Sequence, residues 1–415
     1  MPPIGLARRL QIVFVTLGVL SIAIHTWDLA TPGLLDRTGR LKAPDFLQFY
    51  TYGSLARANR WDLLYDAEAH GRVASAHVDP RMILTNFRPN YSPVVALLMA
   101  PLTTASFLDA WAVWSALSVG LYAMAIAFIA GMTTRVREDR VTLCLAALAF
   151  PALFAVIRYG QISALSLLLL AIAGWLYSRG RPVAAGFALG LLVYKPNLLV
   201  VPVLALALTR EWRMMFGLAV AACLESAVSI ALVGWGEFMT YLNVLGALAT
   251  NPDLVQAFPA ESHSLRGFAR LLVPSPAILA IVTVGAVAIG TWGVHRVWQQ
   301  SADPRPRWAA LTLATFVATP HLLTYDLLLL AVPLVLVVDV GLDTGMPLTG
   351  RWWTAAVLLY GAAWPGTLLA RLYGIQPSTV GMVLTLWLLV TCLSRPTVTS
   401  AGAPASSSIN PIISS

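Results

Sequence analysis

The sequence predicts an all-α polytopic membrane protein, a bundle of about twelve transmembrane helices. Three observations carry that expectation. Hydrophobic residues make up 58% of the chain and charged residues 11%, with mean hydropathy +0.75. A soluble domain carries about 25% charged residues. Apolar runs near the ~20 residues that cross a bilayer recur from end to end. Alternating strands of the barrel type are absent, which argues against a membrane β-barrel.

The first element is the apolar run Leu10 to Leu29 behind Arg8 and Arg9. Its flanks resemble a signal peptide, but no small-residue cleavage site follows. It reads as an uncleaved first span with its N-terminus in the cytoplasm.

Residues 30–108 then form a large first external loop. Asp45 opens the aromatic stretch Asp45-Phe46-Leu47-Gln48-Phe49-Tyr50 within it. Amphipathic helices are expected near 45–59 and 62–77. The pattern Phe46, Phe49, Tyr50, Leu55 suits a helix lying on the membrane surface. Tyr91 to Leu108 is apolar enough to span. Counting it as a span puts Arg135, Arg137, Arg140, Arg179, Arg181, Arg210 and Arg213 outside; leaving it out puts all of them inside. Arg296, Arg305, Arg307, Arg351 and Arg395 then fall inside as well. Orientation follows the Lys/Arg bias, so the segment is left out. Pro93 and Pro101 fit a broken, re-entrant or interfacial helix buried against protein.

Further spans are expected at 109–131, 141–157, 161–178, 183–194, 197–208, 214–233, 277–297, 308–319, 322–340, 352–370 and 379–393. Residues 234–276 form a second large external loop. The membrane domain covers 1–395, and the Ser-, Pro- and Ala-rich tail 396–415 is expected to be disordered.

Net charge is +8, from 25 Arg and 2 Lys against 19 acids. Most of these cations sit at helix ends, so the charge reads as topology and no nucleic-acid partner is implied. Cys144, Cys223 and Cys392 are odd in number and lack metal spacing, so they read as small core residues. No Walker loop, dinucleotide fingerprint, zinc spacing or nucleophile elbow appears.

Chemistry is expected on the non-cytoplasmic face. Arg88, Tyr91, Arg158, Tyr159, Gln161, Lys195, Asn197, His263, Ser264, Arg266, His321, Tyr325 and Asp326 all fall at span ends or loops on that side. Ionisable groups at membrane depth are costly and read as functional. Lys195 interrupts two apolar runs and reads either as a snorkelling hairpin lysine or as a cation for an anionic lipid headgroup. Arg158 carries the planar donor fork suited to phosphate. His321 can donate to a phosphate. Asp326 can pair with a cation or cap the following helix. Glu225 lies inside a span and needs a partner. Asp45, a carboxylate beside a hydrophobic body, is placed as a general base would be.

The ordered motifs carry a resemblance. Asp45-Phe46 is followed by Leu64-Tyr65-Asp66, Asn90-Tyr91-Ser92-Pro93 and Ala100-Pro101-Leu102. Gly160-Gln161-Ile162-Ser163, Tyr194-Lys195-Pro196, Ser262-His263-Ser264-Leu265-Arg266-Gly267, Pro320-His321 and Tyr325-Asp326 complete the set. Across about 10–395 the chain resembles glycosyltransferase family 87, which includes polyprenol-phosphate-mannose-dependent mannosyltransferases of the GT-C fold.

The resemblance implies a polyprenyl-phosphate-sugar donor, a glycolipid or glycan acceptor, and inverting transfer without a metal or other cofactor. It implies Asp45 as the base. Lys195 and His321 match positions near the donor phosphate, with Arg158, Arg88 and Arg266 as further cations. Gln161, Tyr91, His263, Ser264, Tyr325 and Asp326 are then cleft or substrate residues. The chain departs from the pattern at Ser92, where many members have a second proline. It departs again at Ser262-His263-Ser264, where Asn-Gln-Ser is common. The implied location is the bacterial cytoplasmic membrane, both termini inside and the site extracytoplasmic. The rival readings are a transporter or lipid flippase, which inverted repeats and mid-bilayer polar groups would favour, and a non-catalytic subunit of a cell-wall complex.

Overall fold

The computed structural model describes residues 4–79, 81, 89–251, 254, 259–345, 350–361 and 366–392; the tail 396–415 lies outside them. Among the described residues the regular structure is helical, with only isolated bridges Leu35–Leu41 and Ser262–Leu323. The helices follow one another as α1 (Ile4–Leu29), α2 (Pro44–Arg57), α3 (Ala67–Ser75), α4 (Pro93–Met99) and α5 (Phe107–Ala130). Next come α6 (Arg140–Leu148), α7 (Pro151–Tyr159), α8 (Ser163–Ser178), α9 (Pro182–Gly190), α10 (Val200–Leu208) and α11 (Trp212–Thr250). The remainder are α12 (Leu265–Leu272), α13 (Pro276–Gln300), α14 (Pro304–Ala318), α15 (Ala331–Asp343), α16 (Arg351–Gly361), α17 (Gly366–Tyr373) and α18 (Pro377–Cys392).

Among the described residues, five helical stretches are long and apolar enough to cross a membrane: Gly5–Leu29, Phe107–Ala130, Trp212–Thr250, Pro276–Gln300 and Thr324–Asp343. The count reaches seven if the bent pairs α6–α7, at 41°, and α16–α17, at 93°, are each one span. Helices occupy the other expected spans, but α9 and α10 have nine residues each, α14 fifteen, and α8 and α18 sixteen. A straight helix rises 1.5 Å per residue, so these fall short of a ~30 Å hydrocarbon core. Proline sets several of these breaks: Pro151, Pro182, Pro196 and Pro304 each begin a new helical segment, where the missing N–H costs nothing.

The stretch expected as a second large loop is partly helical. Helix α11 runs on beyond residue 233 to Thr250, bent at Gly234, whose φ of 77° and ψ of 166° only glycine adopts without strain. The expected loop 234–276 therefore begins as helix.

Helix α2 also departs from expectation. It does not lie on a surface: Phe46, Phe49, Tyr52 and Leu47 are fully buried, and Tyr50 and Leu55 nearly so. An apolar face reads the same whether lipid or protein covers it, and here protein does. The cover is α4 with the following 3₁₀ turn Ala100–Thr104, which packs so closely that a Cβ on Gly53 would sit 2.7 Å from the Met99 carbonyl. The 91–108 segment is thus broken at its prolines, with one face packed on α2 while Leu97 and Leu98 stay exposed. Glu225 of α11 finds its partner here, accepting a hydrogen bond from Ser92, the residue before α4.

Helix α14 is the centre of the bundle; every residue from Trp308 to Thr319 is buried. At the outside, α1, α11 and α13 expose Ile22, Trp27, Phe216, Trp235, Ile281 and Ile289, the apolar surface that lipid covers. Cys144 and Cys223 lie on exposed faces and Cys392 is half-buried, so the reading of all three as core residues is corrected.

Candidate active site

The site is built around the start of α2. Pro44 begins the helix and Asp45 follows in its first turn. Ala43, just before it, has φ 51° and ψ 54°, the left-handed region that costs a side-chain-bearing residue energy. Its N–H donates to the Arg158 carbonyl at 3.1 Å, which ties α2 to the end of α7. Gly160 closes α7 with φ 70°, and a Cβ there would lie 2.4 Å from the Phe46 Cβ. Only glycine lets the two backbones approach so closely.

That approach brings Gln161 to Asp45. The Gln161 Nε2 donates to Asp45 Oδ2 at 2.7 Å, and Gln161 Oε1 accepts from the Ile162 N–H at 3.2 Å, which fixes the amide. The Tyr325 hydroxyl also faces the Asp45 carboxylate and favours its ionised form. Asp45 keeps part of its surface exposed, while protein encloses its carboxylate. Burial pushes its pKa up to about 6; the Gln161 hydrogen bond and the Tyr325 hydroxyl oppose this, and the charges of Glu261 and Asp326 reinforce it. A carboxylate at about 6 is ionised at neutral pH yet basic enough to take a proton.

Deeper in, Lys195 Nζ pairs with Asp326 Oδ1 at 2.6 Å, and the Ser163 hydroxyl donates to the same oxygen at 2.6 Å. The Leu323 N–H reaches Asp326 Oδ2 at 3.4 Å. Tyr194, beside Lys195, bonds Ser166 at 2.7 Å. Tyr91 is buried against Phe49, ring centroids 4.9 Å apart, and its hydroxyl faces Gln161. Its backbone is clamped by Tyr52 at 3.1 Å and Tyr65 at 2.9 Å. The carbonyl of half-buried His321 accepts from Asn197 Nδ2 at 3.4 Å, so His321 borders the Lys195 segment.

The remaining expected residues make other contacts. The Arg158 guanidinium pairs with Asp36, and with Asp28 at 3.4 Å. Burial pushes the Asp36 carboxyl up, but donors from Arg40 and Thr38 and the Arg158 charge outweigh it and hold its pKa below the usual range. His263 has no exposed surface: Nδ1 bonds Ser378 at 2.7 Å and Nε2 bonds Thr324 at 3.1 Å. Burial lowers its pKa to about 3, so it is neutral. Ser264 caps α12 through the Gly267 N–H at 3.0 Å and donates to the Pro320 carbonyl at 3.1 Å. Arg266 is buried at the start of α12. Arg88 lies outside the described residues.

Two contributors escaped sequence reasoning. Glu261, whose charge acts on Asp45, pairs with Arg371 at 3.1 Å, a residue 110 positions away. Asp36 had a local signal: Asp36-Arg37-Thr38-Gly39-Arg40 is an Asx-turn composition, and Asp36 Oδ1 does accept from the Thr38 and Arg40 N–H groups at 2.8 and 2.9 Å. A shallow hollow lined by Leu34, His77, Asp79 and Arg81 holds none of the groups around Asp45.

What converges is a basic carboxylate, a buried lysine–aspartate pair, two tyrosines and an amide, drawn from five separate stretches of chain. Such a set can remove a proton from a hydroxyl and hold an anion beside it. No curated protein and no solved structure matches the chain. A family model, glycosyltransferase family 87, matches residues 90–333. The matched stretch contains Tyr91, Gln161, Ser163, Lys195, His321, Tyr325 and Asp326, while Asp45 precedes it. With more than half of the chain matched, it belongs to glycosyltransferase family 87, a family of membrane glycosyltransferases.

Proposed function

We propose that this glycosyltransferase moves a hexose, mannose first among them, from a polyprenyl-phosphate donor to a lipid-linked or cell-envelope glycan. The reaction runs on the extracytoplasmic side of the bacterial cytoplasmic membrane and inverts the anomeric centre. The observation that supports it best is Asp45: an enclosed carboxylate with a raised pKa, on a residue that keeps part of its surface exposed, held by Gln161 beside buried polar groups.

In this reading Asp45 takes the proton of an acceptor hydroxyl as its oxygen attacks the anomeric carbon. The bond from that carbon to the phosphate oxygen breaks, and the lipid phosphate leaves with the electron pair. Lys195 contributes hydrogen bonds more than net charge, because Asp326 neutralises it. An ammonium has three donors, so the Asp326 contact leaves others for a phosphate oxygen. His321 and Arg266 are the proposed further phosphate partners, and Tyr91 and Tyr325 line the sugar. No metal is called for, since the developing charge falls on a phosphate that is already a good leaving group.

The test is Asp45→Asn in purified protein with polyprenyl-phosphate-mannose, reading glycosylated product by mass spectrometry. Near wild-type turnover would reject Asp45 as the base. Flux of lipid across liposomes with no glycosylated product would favour the transporter reading.

A further inference from the structure

We propose that the Arg158–Gln161 turn is the device that aims Asp45, with Arg158 and Gln161 as positioning residues and Asp36 as the group that holds Arg158. The proposal rests on the reading of Asp45 as the base.

Contacts at both ends of the turn support it. The Arg158 carbonyl accepts from Ala43, two residues before Asp45. The Arg158 side chain ties the 28–36 segment to the same turn through Asp28 and Asp36. Asp36 in turn closes the chain between residues 36 and 40, accepting from Thr38 and Arg40. Lys42 seals the other side of that loop by donating to the Thr31 and Gly33 carbonyls at 2.6 and 2.9 Å. The loop therefore delivers Ala43 in its left-handed conformation from a closed, charge-locked frame. At the far end of the turn, Gly160 abuts Phe46 and Gln161 grips the Asp45 carboxylate.

A guanidinium bound by two carboxylates has little charge left for a substrate phosphate. Its position suits a structural link instead, joining the end of α1, the first loop and the α7–α8 junction. All three must stay in register for Gln161 to reach Asp45.

The experiment uses the full chain in lipid nanodiscs with polyprenyl-phosphate-mannose as the probe. Turnover, donor KM and pH profile are measured for Asp36→Asn, Arg158→Gln, Arg158→Lys and Gln161→Leu. Asp36→Asn and Arg158→Gln are expected to lower kcat by about 100-fold, the scale of a small misplacement at a reacting centre. Donor KM should stay within about twofold of wild type. Asp36→Asn combined with Arg158→Gln should be no worse than either single variant, because both break one unit. Arg158→Lys should recover part of kcat by keeping a cation beside Asp36.

Gln161→Leu should move the acid limb of the profile to higher pH, since the ionised carboxylate loses a donor. The other groups facing Asp45 stay in place in that variant: Tyr91, Tyr159, Glu261, Tyr325 and Asp326. A raised donor KM with unchanged kcat in Arg158→Gln would make it a phosphate ligand and overturn the proposal. A silent Asp36→Asn would overturn it too. Asp45→Asn is run alongside: full turnover there rejects the base itself, whereas an inactive Asp45→Asn beside normal Arg158 and Gln161 variants rejects only the positioning. Should Arg158→Gln fail to fold, Asp36→Asn and Gln161→Leu carry the same kcat and pH readouts.

Discussion

Lys195 and Asp326 form a buried ion pair at 2.6 Å, their side chains 10% and 3% exposed. They lie 131 residues apart in the chain, at the junction of α9 with α10 and in the 3₁₀ turn Thr324–Leu330 that leads into α15. The pair joins these two stretches near Asp45, whose carboxylate feels the Asp326 charge.

Removing one partner leaves the other charge buried and alone. Lys195→Met is expected to cost about 3–5 kcal/mol of stability and to abolish transfer. Lys195→Met with Asp326→Leu should recover the melting temperature, because an apolar pair of similar volume packs without a desolvation cost. Activity should stay absent. Thermal melting and turnover measured together separate the two; a double variant that transfers sugar would remove the pair from the reaction.

The raised pKa of Asp45 sets a pH dependence. A base works only when ionised, so kcat/KM should fall as pH drops through about 6 and level off above it. A profile flat between pH 5 and 8 would contradict this assignment. The measurement is a pH series at low donor concentration.

Gly160→Ala puts a side chain where φ is 70° and a Cβ would lie 2.4 Å from Phe46. Left-handed strain alone costs about 1–3 kcal/mol. The clash should also push α2 away from Gln161, so kcat should fall while donor KM changes little. A wild-type melting curve and turnover would refute the close packing.

His263 couples stability to acid. Its pKa falls from 6.5 to about 3 on folding, because burial disfavours the charged ring. Between those values the unfolded chain takes a proton that the folded chain refuses, so stability drops as pH falls from about 6.5 toward 3. His263→Gln keeps hydrogen-bonding capacity but does not titrate, and should flatten part of that slope. His70, lowered to about 4 by the same cause, supplies a further part. Melting temperature against pH for both proteins is the check.

Much of the site was legible one residue at a time. Lys195 and Glu225 stand out because a charge in an apolar run is costly, Asp45 because it is a carboxylate in a loop beside a hydrophobic body, and Gln161 because it starts a helix at a span end. Partnerships were not legible. Gln161 is 116 residues from Asp45, and Ser92 is 133 from Glu225; nothing local encodes either contact. Arg158 shows the consequence: its donor fork suits phosphate or carboxylate equally, and only the fold shows Asp28 and Asp36 beside it. Helix α2 shows the same for apolar surface, since lipid and α4 satisfy one hydrophobic pattern alike.

The sequence by itself determined the class: all-α, membrane-embedded, with its polar groups gathered at helix ends. Transfer free energy sums along the chain, so composition and run length suffice for that. Only the tertiary structure decided the number of helices long enough to span, the burial of α2, and which charges neutralise one another. Those outcomes depend on distances between segments remote in sequence, where one glycine, such as Gly160, decides whether two backbones meet.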